Sequence, residues 1–184
     1  MDRKDALQPR IPLFTSVMRW SRDLALAVVI AVVIILFLYQ PVKVEGTSMM
    51  PALEDQDRIF INKFIYRWGT GTISRGDMVV FWYPGDVSKS YIKRVIGTPG
   101  DAVEVDRGTV LVNGKRLIEA YVPPEYRDQQ SMDKTVMRED EYFVLGDHRS
   151  SSSDSRAWGT VNRRYIYGKA VFVYWPLEKM GALR

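Results

Sequence analysis

Hydrophobic residues are concentrated in one uninterrupted run near the N-terminus of the chain. The sixteen residues 24–39 contain no charged side chain and are almost all aliphatic. As an α-helix rising about 1.5 Å per residue, the run is roughly 24 Å long, somewhat shorter than the bilayer hydrocarbon core at about 30 Å. Trp20 and Tyr39 flank it, as aromatic residues do at membrane interfaces. The pattern predicts a transmembrane helix over residues 24–40.

Two other structures share part of this pattern. A cleaved signal peptide has an apolar region of about 7–15 residues followed by a small-x-small cleavage site. Here the run ends in Tyr39-Gln-Pro-Val-Lys43, which is a poor cleavage site. A fully buried helix of a soluble protein is the second alternative. The absence of any charged residue within the run favours the membrane span over both.

Beyond residue 40 the pattern changes to short runs rich in β-branched and aromatic residues, which are typical of β-strands. The predicted strands are residues 59–63, 78–83, 91–96, 102–105, 109–112, 142–145 and 170–175. Asn113-Gly114, between two short strands, predicts a two-residue hairpin, because both positions then need a positive φ. Residues 121–140 are polar and are predicted to be a long connection or a small insertion. Residues 41–184 therefore read as one mainly β domain with no convincing amphipathic helix.

Charges on the two sides of the apolar run predict its orientation. Five basic residues precede it, whereas only Lys43 lies close behind it. The preceding residues are Arg3, Lys4, Arg10, Arg19 and Arg22. The positive-inside rule therefore places residues 1–23 in the cytoplasm and residues 41–184 on the outer side of the membrane. The absence of cysteine is compatible with an oxidising compartment there.

Composition argues against several classes of ligand. The net charge of +4 is shared equally between residues 1–23 and 41–184, and no Lys/Arg-rich block of the kind that binds nucleic acid is present. One histidine, no cysteine and no recognisable ligand spacing give no reason to expect a metal. No nucleotide-binding loop is present either, so no cofactor is expected.

A serine and a lysine carry the candidate chemistry. Ser48 and Lys93 lie 45 residues apart in the predicted β domain. A serine hydroxyl needs a base beside it, and a lysine serves as that base when it is desolvated enough to be neutral. In a strand, Lys93 shares its face with Tyr91 and Val95, which would surround its stem with apolar groups. Lowering a lysine pKa from about 10.4 to about 8 requires roughly 3 kcal/mol, which desolvation can supply.

Each of these residues also has an ordinary interpretation. Ser48 suits a turn, and a lone lysine in a strand is commonly a surface residue. Histidine is the usual base of serine hydrolases, so a Ser-His-Asp triad with His148 and either Asp147 or Asp154 is the alternative catalytic hypothesis.

Four motif-like segments follow one another along the chain. They are Gly46-x-Ser48-Met-x-Pro51, Gly76-Asp-x-Val-Val, Tyr91-Ile-Lys93-Arg94-Val-Ile-Gly-x-Pro-Gly-Asp101 and Gly146-Asp-His-Arg149-x-x-Ser152-x-Asp154-Ser155-Arg156-x-x-Gly159. This series resembles the motifs of the type I signal peptidases, the bacterial leader peptidase family. The resemblance implies a β-rich Ser/Lys enzyme, anchored in the bacterial cytoplasmic membrane, that removes signal peptides from exported preproteins. The expected partners are therefore those preproteins and the lipid bilayer.

The resemblance also implies residue roles. Ser48 matches the nucleophile and Lys93 the general base. Ser152 matches a serine that hydrogen-bonds and orients the lysine, and Asp154 and Arg156 match an ion pair that supports the site. Taken alone, an Asp/Arg pair two residues apart is also typical of a surface ion pair of little energetic value.

The family's oxyanion hole uses the backbone N–H of the nucleophile, here Ser48. Many members add a side-chain hydroxyl two positions earlier. That position is Gly46 in this chain, which leaves a backbone group or Thr47 as the second donor. His148 departs from the asparagine of many relatives, and Ser150-Ser151 replaces a commoner Asp-Asn pair.

The resemblance further implies two small apolar pockets that prefer Ala-x-Ala before the cut. An extended substrate laid beside residues 42–45 or 91–96 would direct alternate side chains into such pockets. The residues matched as pocket lining are Val42, Val44, Met49, Leu53, Tyr91 and Ile92. Met49 is equally suited to the core or to a surface beside the lipid.

Other functions share parts of this pattern. A non-enzymatic, membrane-anchored β domain would be favoured by loss of Ser48 or Lys93, and both are present. Among peptidases, a narrower relative that matures one conjugation or pilus protein is a further alternative. Self-cleaving Ser/Lys peptidases of the SOS-repressor type lack an anchor.

Ser48 lies nine residues beyond Tyr39, so the chain holds it within about 30 Å of the end of the apolar run 24–39.

Overall fold

The computed structural model describes residues 13–67 and 71–183. The chain divides into two compact units, residues 1–38 and residues 39–184. The first unit contains α1, Leu13–Leu38, whose apolar side chains at Leu24, Leu26 and Val29 are exposed. Of the segment predicted to be cytoplasmic, residues 1–12 lie outside the described residues. Within residues 13–67 and 71–183, no helix is both long and apolar enough to cross a membrane.

The helix ends earlier than the pattern predicts. Residues 39 and 40 open strand β1, which pairs with the next strand through contacts such as Gln40 opposite Ile61. Pro41 explains the boundary, because the residue before a proline is pushed out of the α region.

The second unit is built from antiparallel strands. They are β1 Tyr39–Lys43, β2 Arg58–Asn62, β3 Met78–Tyr83, β4 Asp86–Gly97, β5 Ala102–Asp106, β6 Thr109–Val112, β7 Lys115–Arg116, β8 Met132–Val136, β9 Glu141–Leu145, β10 Val161–Asn162, β11 Ile166–Trp175 and β12 Gly181–Ala182. In the part of the chain that the structure describes, they form a large sheet with the order β1-β2-β11-β3-β4-β9-β10, in which β12 also pairs with β11, and a small sheet with the order β7-β6-β5-β8. Two one-turn helices, α2 Phe64–Arg67 and α3 Ser155–Trp158, interrupt the strands.

The large sheet is covered on both faces, and β3 shows why its strands are so apolar. Met78 and Val80 enter one hydrophobic cluster, which also contains Leu53. Val79 and Phe81 point the other way, into a second cluster. Successive side chains of a strand alternate between faces, so a strand buried on both sides needs an unbroken apolar run. A third cluster lies against the small sheet and includes residues of β5, β6 and β9.

All seven predicted strands are present, and the mainly β prediction is confirmed. The Asn113-Gly114 hairpin is also confirmed, with φ of 52° and 75° at its two residues and Val112 opposite Lys115. Of the two alternatives for residues 121–140, a plain connection is wrong in part, because the segment contains β8, which pairs with β5. The sequence pattern missed β8 because the strand is polar and half exposed. It also missed the short strands β10 and β12.

Candidate active site

Ser48 lies in the loop between β1 and β2, and this loop is fixed at several points. The Val44 N–H donates to Asp57 O (2.8 Å), which continues the strand pairing into the loop. Gly46 has φ of +91°, in the left-handed region that favours glycine. Its N–H donates to Asp55 Oδ1 (2.8 Å). Beyond Ser48, the side chain of Met49 is buried in the first cluster. The half-buried Ser48 therefore stands on a well-anchored turn.

Lys93 comes from the middle of β4, opposite Val79 of β3. Its Nζ is 2.7 Å from Ser48 Oγ and also donates to Ile92 O (3.2 Å). The Tyr91 ring lies 5.4 Å from Nζ, on the same strand face, as the alternation predicts.

Burial controls the protonation of this lysine. Lys93 is only 4% exposed, and desolvation lowers its pKa from 10.5 to about 8. The carboxylates of Asp154 and Asp147 act in the opposite direction and raise this pKa, but burial outweighs them. The arrangement can therefore hold a neutral amine within hydrogen-bonding distance of a serine hydroxyl near neutral pH.

Ser152 lies in loop 146–156, beside the nucleophile's loop. A Cβ placed on Gly146 would collide with both Ser152 Oγ and the Ser48 carbonyl oxygen, so these two groups flank that glycine. Ser152 Oγ is buried, and among the described residues it has no hydrogen-bond partner. A buried hydroxyl without a partner is costly and needs an explanation. Its predicted role in orienting Lys93 stays a prediction.

Asp154 and Arg156 form a buried pair, in contrast to the surface interpretation. Arg156 Nε donates to Asp154 Oδ1 and its Nη2 donates to Oδ2, both at 2.8 Å. The two side chains are 0% and 6% exposed. Asp154 Oδ2 also accepts from the Gly146 N–H (3.1 Å), so the pair holds the start of loop 146–156.

His148 lies next to the dyad but does not face the serine hydroxyl. Its Nδ1 is 3.3 Å from the Thr47 carbonyl oxygen, and its ring packs edge-on against Tyr126 at 4.7 Å. Its backbone N–H donates to Ser48 O (3.1 Å). Lys93 occupies the position at Ser48 Oγ that the triad hypothesis assigns to histidine, so the geometry favours the Ser/Lys pair.

The candidate oxyanion donors differ in availability. The Gly46 N–H is bonded to Asp55, which removes it from the candidates. The Ser48 N–H and the exposed Thr47 side chain stay as candidates.

A cavity of about 220 Å³ opens beside the dyad. Of the predicted pocket residues, it is lined by Val42, Val44, Met49, Tyr91 and Ile92. Leu53 does not line it, which corrects that prediction.

Leu53 is fully buried in the first cluster, where its N–H donates to Met49 O (2.9 Å). The sequence pattern missed Val80, Ser90 and Tyr167 as lining residues. If β3 had been paired with β4 in the prediction, Val80 would have been placed opposite Ile92. Nothing in the sequence around Tyr167 indicates that it lines the cavity.

Two further arginines near the site are paired with carboxylates that the sequence pattern did not connect to them. Arg94 donates from Nε (2.9 Å) and Nη2 (2.6 Å) to Asp147, and both side chains are buried. Arg149 donates to both oxygens of Glu119 and to Gly146 O. Arg94, Asp147 and Arg149 lie within the quoted motifs, but their partners follow only from the fold.

Comparison with known proteins gives consistent relatives. The family described as "Signal peptidase, peptidase S26" matches residues 17–175. Signal peptidase I P of Bacillus subtilis subsp. natto is 35% identical over 176 residues, covering 90% of this chain and 93% of the relative. Signal peptidase I of Leptolyngbya laminosa is 37% identical over 188 residues, covering 97% of this chain and 88% of the relative. A solved signal peptidase I from Enterococcus faecalis V583 is 30% identical and covers 53% of this chain and 96% of its own, with a TM-score of 0.47.

Proposed function

The chain belongs to the peptidase S26 family of signal peptidases, and from this premise we propose that Ser48 and Lys93 are its catalytic nucleophile and general base. It is a serine endopeptidase of the type that removes N-terminal signal peptides from preproteins. The observation that carries the proposal is the 2.7 Å separation of Lys93 Nζ and Ser48 Oγ within a buried setting.

The neutral amine of Lys93 removes the proton of Ser48 Oγ as that oxygen attacks the carbonyl carbon of the scissile peptide bond. The lysine then gives this proton to the leaving amine, which leaves an ester between Ser48 and the signal peptide. In the second half, Lys93 takes a proton from water, which attacks the ester carbonyl carbon, and then gives that proton to Ser48 Oγ as its bond to the signal peptide breaks.

The lowered pKa gives this base a usable population. At pH 7 about one free lysine in 2,500 is neutral. With a pKa of about 8, roughly one in ten Lys93 side chains is neutral at the same pH. Burial thus raises the fraction of competent base by more than two orders of magnitude.

The negative oxygen that forms during attack needs hydrogen-bond donors in place beforehand. We assign the backbone N–H of Ser48 as the first donor. Thr47 is the better candidate for the second, because the Gly46 N–H is held by Asp55. Ser152 is proposed to orient Lys93. Asp154 and Arg156 are proposed to hold loop 146–156, which carries Ser152.

Substrate recognition is proposed to occur in the cavity beside the dyad. Val42, Val44, Met49 and Ile92 give it apolar walls, and its volume of about 220 Å³ suits small side chains. An extended peptide whose residues at −1 and −3 enter this cavity would place its carbonyl beside Ser48. Ala-x-Ala is therefore the expected preference before the cut.

Membrane anchoring is part of the proposal. The uncharged run 24–39 and the basic residues before it support a single span with residues 1–23 in the cytoplasm of a bacterial cell. The catalytic domain would then lie on the outer side of the cytoplasmic membrane, where exported preproteins emerge. Confining enzyme and substrate to one bilayer raises their effective concentration.

The absence of native cysteine allows a clean test of this topology. Ala6→Cys and Lys115→Cys each introduce a single thiol, and intact cells are treated with a membrane-impermeant maleimide. We expect labelling at position 115 and none at position 6 until the cells are lysed. The reverse pattern, or labelling of both, contradicts the orientation.

Substitution of the dyad tests the chemistry. Ser48→Ala removes one oxygen and little packing, so the purified full-length variant should fold and lose cleavage of a preprotein. Lys93→Arg should be nearly as inactive, because arginine keeps its proton. Cleavage by Ser48→Ala near the parental rate would show that the nucleophile is wrongly assigned. His148→Ala should retain most activity, and a loss of about a thousandfold would favour the Ser-His-Asp alternative.

A further inference from the structure

Residues 117–131, which we call the bracing segment, connect β7 to β8. Both of its ends are fixed to the turn and strands of the small sheet. The Leu117 N–H donates to Val110 O (2.9 Å), and the Gly108 N–H donates to Gln130 O (2.8 Å). Because both ends of the segment are bonded to the sheet, its side chains can restrict the movement of the residues that they bind.

Glu119 holds Arg149 of loop 146–156. The Arg149 guanidinium donates to Glu119 Oε1 (2.5 Å) and Oε2 (2.9 Å), and the side chains of Arg149 and Glu119 are 4% and 9% exposed. From its other edge, Arg149 Nε donates to Gly146 O (2.9 Å). Tyr121 OH donates to Glu119 Oε1 (2.8 Å) and helps to hold the carboxylate in place. The planar guanidinium therefore links the bracing segment to the backbone of the loop.

Asp128 holds Arg156 in the same way. Arg156 Nη1 donates to Asp128 Oδ2 (2.5 Å), while its Nε and Nη2 hold Asp154. Nη2 also donates to Arg149 O (2.8 Å). The Asp128 side chain is 10% exposed, so this contact is mostly shielded from water. Loop 146–156 is thus attached to the bracing segment at two points.

The loop in turn contacts the nucleophile. The His148 N–H donates to Ser48 O (3.1 Å), and Gly146 fits between Ser48 O and Ser152 Oγ with no room for a Cβ. The same loop carries Asp147 and Asp154, whose charges act on Lys93. A shift of the loop would move the backbone of Ser48 and change the surroundings of its base together.

We propose that Glu119 and Asp128 are positioning residues for the dyad, acting through Arg149 and Arg156 to hold loop 146–156 against Ser48. The inference rests on the proposed function, since it assigns Ser48 and Lys93 their roles. A carboxylate in the same segment that holds no arginine should have no such effect. Glu125 meets that description, because it is exposed and makes no ion pair within the described residues.

Loss of either carboxylate should loosen the loop while leaving the dyad residues present. Lys93 is faced by Asp147 and Asp154 from the loop, by Ser48 from the neighbouring turn and by the Tyr91 ring from its own strand. A looser loop admits water to Nζ, and weaker desolvation returns the lysine pKa toward 10.5. The alkaline rise of activity should therefore move to higher pH, which a plain loss of folded protein would not cause.

The test compares Glu119→Gln, Asp128→Asn and Glu119→Asp with the matched control Glu125→Gln in the full-length enzyme. A model preprotein is cleaved between pH 6 and 10, and kcat and KM are separated at each pH. Glu119→Gln and Asp128→Asn should lower kcat on the order of 10–100-fold with little change of KM, because small displacements near reacting atoms cost that much. The activity limb should move to higher pH. Glu119→Asp should recover part of the loss, and Glu125→Gln should match the parent.

Thermal melts give the folded fraction of each variant. If Glu119→Gln does not fold, Asp128→Asn decides by the same readouts. Two outcomes would overturn the positioning role. One is a variant whose kcat and whose pH of rising activity equal those of the parent. The other is a loss of activity that equals the unfolded fraction, with no change in the pH at which activity rises. A Glu119→Asp enzyme no better than Glu119→Gln would overturn the positioning role as well. Ser48→Ala is assayed in parallel. Cleavage by that variant would overturn the proposed function itself. If Ser48→Ala is inactive and Glu119→Gln has parental activity, only the positioning inference is overturned.

Discussion

Replacing Lys93 with methionine should abolish cleavage and stabilise the fold. The side chain is 4% exposed, and its burial lowers its pKa from 10.5 to about 8. The folded state therefore disfavours the charged form of a group that is charged in the unfolded chain at neutral pH. Methionine has a similar length and no charge to bury, so the variant avoids this cost.

The size and the pH range of the effect follow from linkage. At about 1.36 kcal/mol per pH unit, a pKa lowered from 10.5 to about 8 corresponds to about 3 kcal/mol. Below pH 8 both states bind the proton and the full cost is present. Between pH 8 and 10.5 the unfolded state binds more protons, so the parental stability gains about 3 kcal/mol from Lys93 as the pH rises. The advantage of Lys93→Met over the parent should shrink by that amount across this range.

Other effects of the substitution do not change with pH in the same way. Methionine loses the hydrogen bonds to Ser48 and Ile92, which contribute about 1 kcal/mol each at any pH where they form. Burial raises the pKa of Tyr66 and Tyr121, so both proteins lose stability as the pH rises above 10. This loss is common to parent and variant and cancels in their difference.

Urea unfolding of the detergent-solubilised full-length proteins, followed by tryptophan fluorescence at pH 7, 8, 9 and 10, measures the difference. Lys115→Met, at an exposed position of β7, is the matched control and should show no pH-dependent difference from the parent. A Lys93→Met advantage that stays constant from pH 7 to 10 would refute the reasoning, because it would mean that Lys93 is not desolvated in the folded protein.

Three further outcomes are expected. The kcat/KM of the parent should rise with pH through a midpoint near pH 8, the pKa to which burial lowers Lys93, and level off above it, whereas a midpoint near pH 6.5 would point to histidine instead. Gly146→Ala should lower kcat by about a hundredfold or more, since the new Cβ collides with the Ser48 carbonyl, whereas Gly181→Ala, with only one neighbour at 3.9 Å, should be near neutral. Phenylalanine at −1 or −3 of a model preprotein should slow cleavage far more than at −2, and equal cleavage of all three substrates would remove the two-pocket hypothesis.

The sequence predicts the parts of the site that depend on local pattern. The alternation of β4 places Lys93 among apolar groups on the face of Tyr91, and its burial follows from that. The strand pattern likewise predicts β3, since an unbroken apolar run of that length marks a strand covered on both sides. Leu53 shows the limit of such reasoning. It lies four residues after Met49 in the same turn, and no local pattern tells which of the two reaches the cavity and which only fills the core.

The supporting network was beyond prediction for a different reason. Glu119 and Asp128 belong to a segment without hydrophobic periodicity, and polar residues between strands look alike whether they face water or an arginine. Their partners lie 30 and 28 residues away, so the pairing depends on how the small sheet meets the loop. Only the complete fold brings these charges together.

The arginines around the dyad explain how burial prevails over charge at Lys93. A single unpaired carboxylate at about 6 Å contributes roughly 3 kcal/mol at an effective dielectric constant near 20, enough to cancel the desolvation of a lysine. Asp147 and Asp154 both raise the pKa of Lys93, but each is paired bidentately, with Arg94 and Arg156 respectively. Each pair presents little net charge to the amine. The carboxylates can therefore fix the loop through hydrogen bonds, while the base beside Ser48 still titrates near the pH at which it must work.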